Sequence, residues 1–168
     1  MLKTLFWIFD LSIQKNTNIK RAHMTNELKT KVGLKLEDQM LFKCDLGQIK
    51  MHNLYIDERN KKGTNIIRPS PKKLLALSVL GCLAASFEFC LQKKQFSLSD
   101  LDGKAEVTLA RNDKGFWRVK KIDVDILPKV DNPKMRKRVD QCKKFFEQYC
   151  IISESLRKGI EVNINLEY

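Results

Sequence analysis

Leu74 to Leu91 is an eighteen-residue run with a single charge, Glu88. Pro71 stands just before it, at a position where the missing N–H of proline costs a helix nothing, so the chain is expected to be helical over about 72–93. A helix that is apolar almost all round has no face to give to water and must be surrounded. The run approaches the length that crosses a bilayer. The internal Glu88, the polar remainder of the chain and the absence of a second such run favour a central helix, buried by sheets or by a second subunit, over a membrane span.

The segments around this helix are expected to supply the sheets. Residues 40–58 read as two strands about a turn at Asp45 to Gly47, with Phe42, Ile49 and Tyr55 as β-suited residues. Residues 59–71, polar and carrying Gly63, Pro69 and Pro71, read as a loop. In 104–130, Ala105, Val107 and Leu109 share one face of a hairpin whose turn is Asn112 to Gly115. Its second strand carries apolar residues at odd positions up to Val119 and at even positions from Ile122, a change of frame that predicts a β-bulge at Lys120 and Lys121. Asn132 and Pro133 open an amphipathic helix over 131–150, with Met135, Val139, Cys142, Phe146 and Tyr149 at helical spacing. Ser153 is expected to cap a short helix. Ile160, Val162, Ile164 and Leu166 then alternate with polar residues, the pattern of a strand with one buried face. The fold class is therefore α+β, with antiparallel sheets packed around long central helices. The apolar helix is best covered if two copies intertwine, so an obligate homodimer is expected. Residues 1–24 have no clear period and read as an N-terminal extension to a single domain, 25–168.

Charge and cysteine content narrow the function. The net charge is +12, from 32 Lys and Arg against 20 Asp and Glu. These basic residues are scattered rather than gathered into a tail, so they read as a solvated surface and a nucleic-acid partner is not expected. There are five cysteines, no Cys-x-x-Cys pair and only two histidines, which argues against a structural zinc site. The leader "MLKTLFWIFDLSIQK" is interrupted by Asp10 and no small-residue cleavage site follows, so a reducing cytoplasm with free thiols is expected. By composition alone, Cys82 is either an apolar filler or a reactive thiol.

The helix opening "PxPxxLLAxxxxGC", Pro69 to Cys82, and a second cysteine in "YCIISESLRKGIEV" resemble the OsmC/Ohr family of osmotically induced and organic hydroperoxide resistance proteins. The loop "DERNKKGTNIIRPSP" looks like that family's approach to the same helix. The resemblance covers roughly Leu34 to Tyr168. It implies an intertwined dimer in which Cys82 is the peroxidatic and Cys150 the resolving thiol, acting on an organic hydroperoxide and regenerated by a small dithiol or dithiol protein, with no further cofactor. It also implies an alternative: a non-catalytic OsmC-like protein that binds an apolar ligand or senses thiol redox state at the dimer interface.

Two positions depart from the family pattern. A Glu that pairs with a thiol-activating Arg is replaced after Pro71 by Lys72, and the Pro after the second cysteine is Ile151. Arg59, Arg68 and Lys72 are the candidate activating cations. Ten residues of helix rise about 15 Å, so Lys72 can approach Cys82 only across a dimer. Cys90 and Cys142 are expected to be core residues, Cys90 being too far along the helix to bond Cys82. Nothing in the sequence marks out Cys44.

Overall fold

The computed structural model describes residues 28–59 and 68–168. The expected extension, 1–24, lies outside the described residues, as does most of the loop before the apolar helix. The body of the chain, Val32–Tyr168, is α+β. Its elements are β1 (Gly33–Asp38), β2 (Leu41–Asp45), β3 (Tyr55–Asp57), α1 (Pro71–Gln92), β4 (Leu101–Arg111), β5 (Trp117–Pro128), α2 (Pro133–Cys142), a 3-10 turn (Phe146–Tyr149) and α3 (Ile151–Lys158).

The first three strands form an antiparallel sheet in the order β1-β2-β3. The turn at Asp45 forms because its carboxylate accepts the Gly47 N–H at 2.8 Å, with Gly47 at φ +68°. Strand β3 then starts only at Tyr55, later than the pattern of residues 46–54 predicts. Strand β1, which lies outside the segments expected to be strands, stands at the sheet edge with Leu34 and Leu36 exposed.

Helix α1 starts at Pro71, as expected. Its buried residues, Ala76, Val79, Leu83, Ser86, Phe87, Cys90 and Leu91, recur every three or four positions and form one stripe. That stripe packs on the β4–β5 hairpin, α2, the 3-10 turn and α3. By length and composition α1 could cross a membrane, yet a third of its apolar window is packed inside this one chain. The opposite side is not covered: Leu77 is 62% and Phe89 49% exposed.

The hairpin carries its bulge where the change of frame placed it. Thr108 pairs with Lys121 and Leu109 with Val119, leaving Lys120 without an opposite residue. The extra residue brings Ile122, Val124 and Ile126 to the side that meets α1. Asn132 caps α2 by accepting the Lys134 N–H at 2.9 Å. The helix expected over 131–150 does not run through: α2 ends at Cys142 and the chain tightens into the 3-10 turn. The break lets Phe145 and Phe146, neighbours in sequence, both pack on the core.

Two further expectations are corrected. Helix α3 is capped by Cys150 rather than Ser153, which lies buried within it. Residues 159–168 form no ladder among the described residues and are exposed throughout, with Ile164 at 87% and Leu166 at 85%. An alternating segment becomes a strand only when a sheet edge takes its N–H and C=O groups, and among the described residues none does.

The core consists of two clusters along α1. One joins Phe87, Cys90 and Leu91 to Met135, Val139 and Cys142. The other joins Val79, Leu83 and Cys150, with Cys82, Ile122, Val124, Ile126 and Ile152 packed around them. Phe146 packs against both, its ring meeting Phe87 edge to face at 5.4 Å.

Candidate functional site: a pair of free cysteines at a helix start

Helix α1 brings Cys82 to the second core cluster, and the end of the 3-10 turn delivers Cys150 to the same place. Both are free thiols; Cys150 is fully buried and Cys82 partly so. Both pack in the same core cluster, with Val79 and Leu83. Far apart in sequence, the two cysteines thus share one site.

The start of α3 shapes this site. Cys150 is the N-cap, and its sulfur accepts the Ser153 backbone N–H at 3.4 Å. Ile152, in the first turn of α3, packs against the same cluster as Cys82. A helix start presents unsatisfied N–H donors and the positive end of its dipole, both of which favour a thiolate. Ile151 occupies the first position of α3, where proline is also well tolerated. Unlike proline, it keeps an N–H that can face Cys82.

The two thiols are held on opposite sides of the ordinary value. Burial, followed by the neighbouring Cys150 sulfur, pushes Cys82 up, with only partial opposition from the backbone N–H groups. Burial would raise Cys150 as well. The hydrogen bonds it accepts from Cys82 and Ser153 outweigh that and bring it below the usual thiol range. Of the two, Cys150 is thus the thiol that ionises more readily. Sequence spacing carries no sign of this division, because it depends on which sulfur caps the helix.

The three candidate cations are engaged elsewhere in this chain. Arg59 forms a two-point pair with Asp57, at 2.7 and 3.0 Å, and lies 3.7 Å from Asp38. The Arg59 guanidinium holds the Asp57 carboxyl down at about 2. Arg68 lies over the Tyr55 ring at 4.0 Å. Lys72 bonds Glu58 at 2.7 Å, so an ion pair does stand at the start of α1, with the base on the helix and the acid before the loop.

A cavity of about 680 Å³, lined by neither cysteine, is walled by Leu75, Val79, Leu83, Ile122, Val124 and Phe146 and reaches Ser153. Arg157, which the sequence did not single out, stands on its rim and is paired with Glu147 and Glu154. Its only sequence signal was a basic residue in the last turn of a short helix. Among the described residues no group of His, Cys, Asp and Glu is arranged to hold a metal ion.

Residues 62–165 match the family model described as OsmC-like protein. The chain belongs to the OsmC-like family. Solved structures of OsmC-like proteins share its fold. An OsmC-like protein of unknown function from Vibrio cholerae is 10% identical, with a TM-score of 0.61, the match covering 77% of this chain and 94% of that one. An OsmC-like protein from Mycoplasma pneumoniae is 15% identical, with a TM-score of 0.58 and coverage of 78% and 89%. An organic hydroperoxide resistance protein from Bacillus subtilis is 18% identical, with a TM-score of 0.51 and coverage of 83% and 98%. No curated protein matches the chain by sequence.

Proposed function

We propose that this OsmC-like protein is a thiol peroxidase that reduces organic hydroperoxides at Cys82 and Cys150. The observation that carries the reading is the packing of two free cysteines, Cys82 and Cys150, in one core cluster at the start of α3. Peroxide reduction needs a nucleophilic sulfur and a second sulfur able to reach it. The Bacillus subtilis protein of the same fold, named for organic hydroperoxide resistance, supports the substrate class. The cavity shares Val79 and Leu83 with the cysteine cluster, and its apolar walls suit the organic part of such a molecule.

In the proposed cycle Cys82, the more accessible thiol, loses its proton and attacks the distal peroxide oxygen. The O–O bond breaks, the alkoxide leaves as the alcohol with a proton, and Cys82 becomes a sulfenic acid. Cys150 attacks the Cys82 sulfur, and its thiol proton leaves with the hydroxide as water. One hydroperoxide and two thiols thus yield an alcohol, water and a disulfide. A dithiol reductant restores the pair by two exchanges.

The active form in this reading is a homodimer. The uncovered side of α1 and the exposed alternation of Ile160, Val162, Ile164 and Leu166 are apolar surfaces that a second copy would bury. In that arrangement Arg59, Arg68 or Lys72 would act on the thiols of the other copy. The reading places the protein in the cytoplasm, where dithiol reductants are available.

Cumene hydroperoxide consumption with dithiothreitol tests the function. Cys82→Ser is expected to abolish turnover and to leave no sulfenic acid for dimedone to trap. Cys150→Ser is expected to stop after one equivalent, with dimedone trapped on Cys82. Absence of turnover with several dithiols and peroxides would remove the peroxidase reading. Disulfide formation without sustained turnover would point to the redox-sensing alternative.

A further inference from the structure

Cys90 and Cys142 play no part in the site described above, yet they are joined to each other, with Cα atoms 5.9 Å apart. The expectation that both are core residues holds, but they are not free thiols. Both have 0% exposure and lie among Phe87, Leu91, Met135 and Val139. A polar group that reaches them is the Arg138 guanidinium, which donates to the Cys90 carbonyl at 2.7 Å and lies 3.5 Å from the Cys90 sulfur.

The two pairs are nested. Cys82 and Cys90 stand eight residues apart on α1, and Cys142 and Cys150 eight apart at the end of α2 and the start of α3. The short stretch between Cys142 and Cys150 is occupied by the 3-10 turn, whose Phe146 packs on both core clusters. A bond from Cys90 to Cys142 therefore restricts where Cys150 can lie relative to Cys82.

We propose that Cys90–Cys142 is a persistent, sealed disulfide that staples α2 to α1 and so positions Cys150 against Cys82. A disulfide is reduced by a thiolate that approaches one of its sulfurs, and full burial denies that approach. The bond forms before the core closes, by exchange with a low-molecular-weight disulfide. One cysteine thiolate attacks that disulfide and releases a thiol. The other then attacks the mixed disulfide, releases a second thiol and leaves Cys90 bonded to Cys142. The protein thus separates a partly accessible pair, free to cycle, from an inaccessible pair that holds its shape. The staple does not depend on peroxide chemistry, whereas its value for turnover rests on the function proposed above.

Two measurements test the proposal. The folded full-length protein is treated with dithiothreitol and labelled with N-ethylmaleimide, then unfolded, reduced and labelled with an isotopic form of the reagent. Cys44 and Cys82 are expected to take the first label, and Cys90 and Cys142 only the second. First label at Cys90 or Cys142, or labelling of either in denaturant without reductant, would overturn the sealed staple. In the second measurement, diamide closes the reduced Cys82–Cys150 pair without any peroxide. Closure in Cys90→Ser/Cys142→Ser is expected to be about tenfold slower or more, the order of penalty that small misplacements of reacting groups incur. An unchanged rate in a folded variant would overturn the positioning role. Should that variant fail to fold, the labelling of the unaltered protein still decides the staple. Loss of peroxide turnover with diamide closure intact would count against the proposed function and not against the staple.

Discussion

Removing the Phe146 ring should weaken the fold and loosen the thiol site together, because this side chain packs on both core clusters. In Phe146→Ala, truncating a fully buried phenylalanine would cost about 3–5 kcal/mol. Part of the Phe146 ring borders the cavity, which lowers the burial contribution, while the edge-to-face contact with Phe87 adds about 0.5–1.5 kcal/mol. The net expectation is a loss of about 2–4 kcal/mol, a fall in Tm of roughly 5–15 °C for a chain of this length. Urea denaturation followed by far-ultraviolet circular dichroism gives the stability, and an unchanged slope shows that the unfolded state is comparable. Phe146→Leu, which keeps an apolar contact with each cluster, should lose about half as much. The Cys150 thiol, packed in the cluster that Phe146 covers, should react faster with a small disulfide reagent in Phe146→Ala than in the unaltered protein. A loss below about 1 kcal/mol, with no change in Cys150 reactivity, would refute the claim that Phe146 links core to site.

Other perturbations probe individual elements. Asp57, held at about 2 by Arg59, contributes stability that is fully present above the ordinary carboxylate range and is lost as pH falls through about 2. Stability between about pH 4 and pH 2 should therefore fall more steeply in the unaltered protein than in Asp57→Asn; equal acid limbs in urea titrations would show that the pair does not stabilise the fold. Asn132→Ala removes the side-chain cap of α2 and should cost about 1 kcal/mol, read by thermal melting, with no loss if the cap is dispensable. Gly103 faces α1 so closely that a Cβ there would lie 2.8 Å from Leu80 Cδ1 and 3.3 Å from the Asp125 carbonyl oxygen. Gly103→Ala should cost about 1–2 kcal/mol, moderated by the freedom of the Leu80 side chain, and a neutral result would mean that the hairpin and α1 yield at this contact.

What could be read in advance was set by local rules. Pro71 and Asn132 open helices because ring geometry and a short carboxamide act on the next few residues, and both do so here. The change of frame at Lys120 required a bulge because the two faces of a strand alternate strictly. The family pattern singled out Cys82 and Cys150, and the fold packs both in one core cluster.

Decisions that join distant segments lay beyond that reading. The equal spacing of Cys82 to Cys90 and of Cys142 to Cys150 was visible in the sequence, but it took the packing of α2 on α1 to bond the inner pair. Ser153 looked like a helix cap by residue type; the position of the chain leaving the 3-10 turn gave that role to Cys150. Lys72 stood where the family has an acid, and the fold supplied its counter-charge from Glu58. The sequence by itself determined the starts of α1 and α2 and the bulge, because each follows from backbone geometry and side-chain period over a few residues. Only the tertiary structure decided which cysteines bond, which sulfur caps α3 and which carboxylate each cation meets, because those depend on contacts between segments far apart in the chain.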